Sequence, residues 1–371
     1  MNTNMAIAYT NGIIYSGHGR ETGKAILTNN GSIHGIVDAN KIDEEYTIKD
    51  LGGLNIAPSL IDLQIYGGNG KMFSTELTTD AIKSTYEYCL SGGCSHFMIT
   101  MATNTIEKFL KGMDVVREYW KQGGKGLLGL HMEGPYLNPV KRGAHILACI
   151  KKPEMAEVEM ILSAGKDVLK MITIAPEMCE ERIIKLLLDH HLIVSAGHTN
   201  ATLAEARRGF DLGIPTSTHL FNAMSAFQSR EPGMVGAIYD DEKVKSSVVA
   251  DGIHVDFTAV RISKRQLGKR LFLITDAVAE VLHGEYQHIF KGDRYTLPDG
   301  TLSGSSLTML KAVQNCVEKI GIDLEEALRM ASTYPAQLLK HGPKLGKIEA
   351  GYAADFVVFD NEFKVIEMIL S

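Results

Sequence analysis

LLGLHMEGPYLNP, residues 127–139, begins like a strand and ends like something else. Leu127, Leu128, Leu130 and Met132 make an apolar run, Glu133 closes it, and Gly134 and Pro135 do not continue a strand. A carboxylate at the tip of a strand that otherwise belongs in a core needs a partner there, a hydrogen-bond donor or a cation.

The same pattern recurs along the chain: a short apolar run, a polar residue at its end, then a helical stretch. The runs are 57–67, 94–100, 127–133, 169–177, 192–198, 216–222, 246–254 and 271–277. Most are almost continuously apolar, as strands covered on both faces by helices are. Between them, residues 106–120 carry Ile106, Phe109, Leu110, Met113, Val116 and Trp120 at helical spacing. Thr202 and Glu205 form a capping box that opens another helix, and Asp323 is placed to cap one beginning at "LEE". Eight alternating β/α units predict an α/β fold, a TIM (β/α)8 barrel. The alternative, an open doubly wound sheet, needs a phosphate loop, and "GGNG" (67–70) has neither the G-x-G-x-x-G spacing nor a Walker lysine.

The ends read differently. Residues 5–50 contain alternating runs broken by Asn11-Gly12 and Asn30-Gly31, which signal β-hairpins, and the tail 351–370 is again strand-like. Residues 1–56 and 343–371 are therefore assigned to one small β-sandwich domain built from both termini, and 57–342 to the barrel.

Composition limits the function. The chain has 371 residues, 45% hydrophobic and 22% charged, with mean hydropathy near zero. No apolar run approaches the ~20 residues of a membrane helix, and the N-terminus lacks the features of a secretory signal. Five scattered cysteines without a C-x-x-C pair suit reduced thiols in a cytoplasmic protein. A net charge of −6 argues against a nucleic-acid surface.

In a TIM barrel the chemistry sits at the C-terminal ends of the strands. Those ends carry Asp62, Gln64 and Tyr66, then Glu133, His198, His219, Asp251 with His254, and finally Asp276. One carboxylate with two histidines is a catalytic zinc-type ligand set that leaves positions open for water. A lone histidine at a strand end is more often a hydrogen-bonded structural residue. Two histidines, a Glu and an Asp, each ending a different strand, favour the metal reading. Asp62 reads equally well as a structural carboxylate. His131 lies on the Glu133 face of its strand and suits support or packing rather than ligation. His190 and His191 suit solvated surface, as Lys141 and Arg142 suit solubility charges. The H-x-E of zinc deaminases is present without their P-C-x-x-C.

Seven motifs in order, "LHMEGPYLNPVKRGAH", "SAGHTNAT", "STHLFNAMS", "REPGMVGAI", "VADGIHVD", "LITDAVA" and "GTLSGSSLTM", resemble the N-acetylglucosamine-6-phosphate deacetylase family of the amidohydrolase superfamily. The likeness runs from about residue 50 to the tail, where "LGKIEAGYAADFVVFD" is similar to the superfamily's C-terminal strand motif. It implies metal ligation by Glu133, His198 and His219, and Asp276 as catalytic acid–base. It implies substrate contacts at Ala144, His145, Asn222, Ala223, Arg230, Asp251, Gly252, Ile253, His254, Leu302, Ser303 and Gly304. The implied reaction is hydrolysis of the acetamide of a phosphorylated amino sugar, releasing acetate. The implied assembly is a homodimer in which Arg230 reaches the partner's phosphate.

One departure concerns the metal count. Many amidohydrolases end the first strand with His-x-His and hold a second metal, whereas this chain has Gln64-Ile65-Tyr66. The deacetylases often have Gln-x-Asn there. A phenol with pKa ~10 is a poor ligand at neutral pH. One divalent metal per chain is expected, Zn2+ first, with Fe2+ or another first-row ion compatible, Gln64 beside it and Tyr66 shaping the pocket. Residues 277–300 look short and unlike their counterparts. Two alternatives stand: the same chemistry on N-acetylgalactosamine 6-phosphate, and a metal-free non-catalytic scaffold, which would have no need of Glu133, His198, His219 and Asp276 together.

Overall fold

The computed structural model describes residues 6–339 and 344–371. Eight parallel strands run in chain order through one sheet: β1 (Leu60–Ile65), β2 (Cys94–Ala102), β3 (Leu127–Glu133), β4 (Leu169–Ile174), β5 (Ile193–Ala196), β6 (Thr216–Ser217), β7 (Lys245–Val248) and β8 (Leu271–Leu273). The ring is drawn together just past its first and last strands. The Asp276 N–H donates to the Gln64 carbonyl at 3.0 Å, and the Tyr66 N–H donates to the Ala277 carbonyl at 2.9 Å. The predicted barrel is present, and all eight apolar runs contribute a strand to it.

Strand lengths differ from the sequence reading. β6 is only Thr216–Ser217 and β8 only Leu271–Leu273, so the apolar residues that follow them continue as buried loop, not strand. The run at 57–67 is divided. Asn55–Pro58 pairs antiparallel with Phe356–Phe359 in a separate five-stranded sheet, and only Leu60–Ile65 enters the barrel.

Helices follow the strands as their periodicity predicts. Ile106–Lys121 is capped by Thr105, whose side chain accepts the Lys108 N–H, and it buries Phe109, Met113, Val116 and Tyr119. Each such side chain contributes about 1.5–3 kcal/mol of burial. Trp120 is only half-buried because its indole N–H reaches the Leu127 carbonyl at 3.1 Å, at the edge of the apolar face. The Thr202–Glu205 capping box is formed on both sides. Asp323 does occupy the N-cap of Leu324–Ala331, but its side chain makes no capping hydrogen bond.

The chain groups into two compact units: Met1–Asp62 with Cys89–His96 and Thr308–Ser371, and Leu63–Tyr88 with Phe97–Leu307. The first holds a four-stranded sheet of N-terminal strands and the five-stranded sheet that combines strands from both ends of the chain. Their shared apolar cluster includes Tyr9, Ile14, Ile26, Ile33, Ile56, Phe356 and Val358. Asn30-Gly31 makes the predicted hairpin between Lys24–Asn29 and Ser32–Asp38. Asn11-Gly12 does not. Ile7–Thr10 and Ile13–Tyr15 lie in different sheets, so this turn is a crossing between layers. The boundary expected near 342 lies outside the described residues. All five cysteines are free thiols. Among the described residues no helix is long and apolar enough to cross a membrane.

Candidate metal centre

Glu133 ends β3 pointing at two histidines. Its Oε1 lies 3.3 Å from Nε2 of His198 and 3.3 Å from Nε2 of His219, and those two nitrogens are 3.1 Å apart. Ligand atoms about 2.0–2.2 Å from a common tetrahedral ion lie roughly 3.3 Å from one another, so the spacing fits one metal ion. Tautomers agree with this at His198, where Nδ1–H donates to the Lys141 carbonyl at 2.9 Å and leaves the Nε2 lone pair facing inward. Nδ1 of His219 has no such partner among the described residues. Glu133, His198 and His219 form a candidate metal-binding triad.

The backbone delivers these side chains at a conformational cost. His198, His219 and Asp276 each follow their strand by two or three residues and have φ of 47°, 36° and 55°. Left-handed backbone in a non-glycine residue costs of order 1–3 kcal/mol and gathers at functional sites. Behind Glu133, the chain turns at Gly134 with φ 86°, where a Cβ would come within 2.1 Å of the Thr103 hydroxyl. Only glycine fits that turn.

Further groups surround the triad. Gln64 Nε2 lies 3.0 Å from Glu133 Oε1, 2.9 Å from Asp276 Oδ1 and 2.9 Å from the Tyr66 hydroxyl. Tyr66 donates to Glu133 Oε2. His145 Nε2 is 3.0 Å from the same oxygen, and its Nδ1 accepts the Thr103 N–H at 3.1 Å. His254 Nε2 is 3.8 Å from Asp276 Oδ2. Its Nδ1 lies 2.6 Å from Asp251, whose other oxygen accepts the N–H groups of Ile253 and His254 at 2.9 and 2.8 Å.

Charge and burial set the protonation preferences. Burial alone would push the Glu133 carboxyl up, but the adjoining His198 and His145 rings hold it well below the usual carboxylate range. Burial raises the Asp276 carboxyl, with Glu133 adding to the rise against the pull of His219 and His254. Burial, then the Glu133 and Asp276 charges, push the Tyr66 phenol well above its usual value and keep it a donor. Burial lowers His198. At His219 burial works downward, yet the hydrogen bond and charge of Glu133 bring it above its ordinary value.

A cavity of about 240 Å³ opens on this group. Ala144, His145, Asn222, Ala223, His254, Leu302, Ser303 and Gly304 line it together with the triad and Asp276. Gln64, Asp251, Gly252, Ile253 and Arg230 are not among its lining residues. Arg230 is exposed on the loop before Gly233–Asp240. The two carboxylates that would pair with it are engaged elsewhere: Asp240 with Arg207 at 2.5 Å, and Glu231 with the Leu203 and Gly233 N–H groups at 2.7 and 3.1 Å. Asp62 is fully buried and does not line the cavity. His131 is supporting structure, its Nδ1 3.1 Å from the Leu63 carbonyl and its Nε2 2.8 Å from the Thr173 hydroxyl. His190 and His191 are exposed. Lys141 and Arg142 do more than solubilise, since the Lys141 carbonyl orients His198 and the Arg142 guanidinium donates to the His145 carbonyl at 3.0 Å.

Some contributors carry no sequence signal. Thr103 donates its hydroxyl to the Glu133 carbonyl at 2.9 Å and accepts the Tyr286 hydroxyl on its own carbonyl. Tyr286 and His288, which also line the cavity, come from the region 277–300. That region supplies Ile289–Phe290 and Arg294–Thr296, which form a three-stranded antiparallel sheet with Leu302–Ser305.

A barrel that gathers a Glu-His-His triad and a largely buried aspartate at its strand ends is the architecture of a metal-dependent hydrolase. The chain belongs to the amidohydrolase family, which it matches over residues 55–370. It is 33% identical to the N-acetylglucosamine-6-phosphate deacetylase of Haemophilus influenzae, over 99% of this chain and 98% of that protein. It is also 33% identical to the N-acetylgalactosamine-6-phosphate deacetylase of a Shewanella species, over 84% of this chain and 80% of that one. The crystal structure of N-acetylglucosamine-6-phosphate deacetylase from Pasteurella multocida superposes with a TM-score of 0.94 at 32% identity, covering 99% of this chain and 98% of the other.

Proposed function

We propose that this chain hydrolyses the acetamide of N-acetyl-D-glucosamine 6-phosphate, giving D-glucosamine 6-phosphate and acetate in amino-sugar breakdown in the cytoplasm. The observation that carries this reading is the single Gln64 amide that touches both Glu133 and Asp276, 3.0 and 2.9 Å away, so that the metal triad and a proton-transfer group share one point of attack. A divalent ion held by Glu133, His198 and His219, Zn2+ or another first-row metal, supplies Lewis-acid activation of water and carbonyl.

The chain's own groups do the rest. Asp276 accepts the proton of the attacking water and returns it to the leaving nitrogen, which cannot depart as an amide anion. Its raised carboxyl suits a group that must hold a proton between those steps. His145 points Nε2–H at Glu133 Oε2, 3.0 Å away, and in the substrate complex gives it to the charge that develops on the carbonyl oxygen. The dyad of Asp251 and His254 fixes an imidazole beside Asp276 for a sugar hydroxyl. Asn222, Ala223, Ser303 and Gly304 hold the ring, and Arg230 reaches the phosphate of the partner subunit in a homodimer.

The galactosamine epimer is the second reading, supported by the Shewanella relative. One assay tests both: acetate release from each epimeric sugar phosphate, with metal content measured on the same sample. Release from the glucosamine derivative at higher kcat/KM is expected. Faster turnover of the galactosamine derivative would move the substrate to the other epimer, and no release from either in metal-loaded protein would overturn the function.

A further inference from the structure

His145, the proposed donor to the carbonyl oxygen, has no regular element beneath it. It sits on the irregular stretch between the one-turn helices Pro139–Lys141 and Leu147–Cys149. Arg142 holds its backbone, accepting the His145 N–H at 3.0 Å and donating to the His145 carbonyl at 3.0 Å, but leaves the ring free to turn. The ring has two stations to serve. Nε2–H rests on Glu133 Oε2 at 3.0 Å, and it has to reach the carbonyl oxygen once substrate is bound. The anchor at Nδ1 decides both the tautomer and the arc through which Nε2–H can swing. That anchor is the Thr103 N–H, 3.1 Å away.

Whatever fixes Thr103 therefore aims His145. The Thr103 hydroxyl donates to the Glu133 carbonyl at 2.9 Å, and the Thr103 carbonyl receives the Tyr286 hydroxyl. The same phenol oxygen accepts the Ile146 N–H at 3.4 Å. Ile146 is bonded to His145, so one oxygen ties the loop that orients the ring to the loop that carries it. Tyr286 is 6% exposed, and burial pushes its phenol above the ordinary range, which keeps the proton on it. The Tyr286 side chain lines the cavity, yet that proton is already given to Thr103 and is not available to a ligand. We propose that Tyr286 is a positioning residue for the hydrolysis, its hydroxyl locking Thr103 to Ile146 and so holding His145 as an Nε2–H donor aimed at the carbonyl oxygen. The segment 277–300 then does more than wall the cavity, because it sets the geometry of a donor from a different barrel loop. This inference rests on the deacetylase reading, in which His145 stabilises the developing charge.

The test is a double-mutant cycle on metal-loaded protein: wild type, Tyr286→Phe, His145→Asn and the double variant, with acetate release, metal content and thermal unfolding measured on each. Tyr286→Phe deletes one oxygen and keeps the ring. Its kcat should fall about 10-fold, the scale of a displaced catalytic group and less than loss of the donor itself, while KM stays within about twofold because the donor acts in the transition state. In the His145→Asn background the same change should cost less than about twofold, since there is no longer a ring to aim. A full 10-fold loss in both backgrounds overturns the proposal, because Tyr286 would then act independently of His145. So does an unchanged kcat, or a raised KM at constant kcat, which would make Tyr286 a direct substrate contact. Loss of metal in Tyr286→Phe would place its effect on Glu133 and also overturns it. Tyr286→Leu, which likewise lacks the hydroxyl, carries the same cycle should Tyr286→Phe fail to fold. A wild type that releases no acetate from either epimeric sugar phosphate defeats the deacetylase reading itself, whereas an active wild type with an additive cycle defeats only the role of Tyr286.

Discussion

The N–H of Thr103 donates to Nδ1 of His145 at 3.1 Å, which fixes the ring as the tautomer that carries its proton on Nε2. The neighbouring His198 is fixed the opposite way, its Nδ1–H given to the Lys141 carbonyl. The two rings meet edge to face with centroids 4.3 Å apart, so one presents a donor to the site and the other a lone pair. His145→Asn should therefore lose no more metal affinity than removal of the other donor to Glu133 Oε2, the Tyr66 hydroxyl, while kcat falls by ~10²–10³, as for a lost oxyanion donor. His198→Asn should lose metal affinity first. Elemental analysis beside turnover separates them, and equal metal loss in both variants would contradict the division.

The number of metals follows from what surrounds Glu133. Oε1 faces the two histidines, while Oε2 is taken by Tyr66 and His145. About one tightly bound divalent ion per chain is expected, and two full equivalents would sink the single-site reading, as would activity unaffected by Glu133→Ala. Tyr66→Phe keeps the ring and removes the donor that orients Glu133. Chelator competition should show metal affinity weakened by about 10–100-fold, the usual effect of removing a group that orients a ligand.

Asp276→Asn is nearly isosteric and keeps a group in contact with Gln64, so fold and metal content should be unchanged. Turnover should fall by ~10²–10⁴, because an amide cannot accept the water's proton. A variant that keeps its metal and more than a tenth of its activity would remove Asp276 from the acid–base role.

Burial lowers His288 to about 4, against an ordinary 6.5. The unfolded chain then binds the extra proton between those values, so stability falls as pH drops through 6.5 toward 4 and is fully restored above it. Between pH 7 and 5 the loss from this one residue is about 2 kcal/mol. Denaturant unfolding at both pH values should show the wild type losing that much more than His288→Gln. Equal losses would mean that His288 is not held neutral by the fold.

The barrel is legible in the sequence because strands covered on both faces must be apolar along their length, and Glu133, His198, His219 and Asp276 stand out as polar residues closing such runs. Where each strand stops is not legible. The backbone turns left-handed at His198, His219 and Asp276, and neither histidine nor aspartate announces that conformation. The crossing at Asn11-Gly12 has the same local signal as the hairpin at Asn30-Gly31. What separates them is which sheet the next strand joins, a long-range choice. Thr103 reaches the site from the turn after β2, and Met72 and Ser74, which line the cavity, come from a two-residue strand and a one-turn helix, elements too short to leave a periodicity.

Arg230 is expected to act across a subunit interface. It is exposed, it does not line its own chain's cavity, and the carboxylates nearest in sequence are engaged with other partners. Phe227, three residues earlier on the same loop, is 60% exposed, an apolar surface of the kind a second copy covers. In a two-fold dimer each site would then combine Asp276 of one chain with Arg230 of the other. Mixing inactive Arg230→Ala chains with inactive Asp276→Asn chains, under conditions that allow exchange, makes roughly half the dimers hybrids. Each hybrid rebuilds one intact site of its two, so activity should return to roughly a quarter of wild type. If hybrids form, as mass-tagged chains would reveal, and no activity returns, Arg230 serves its own barrel or none.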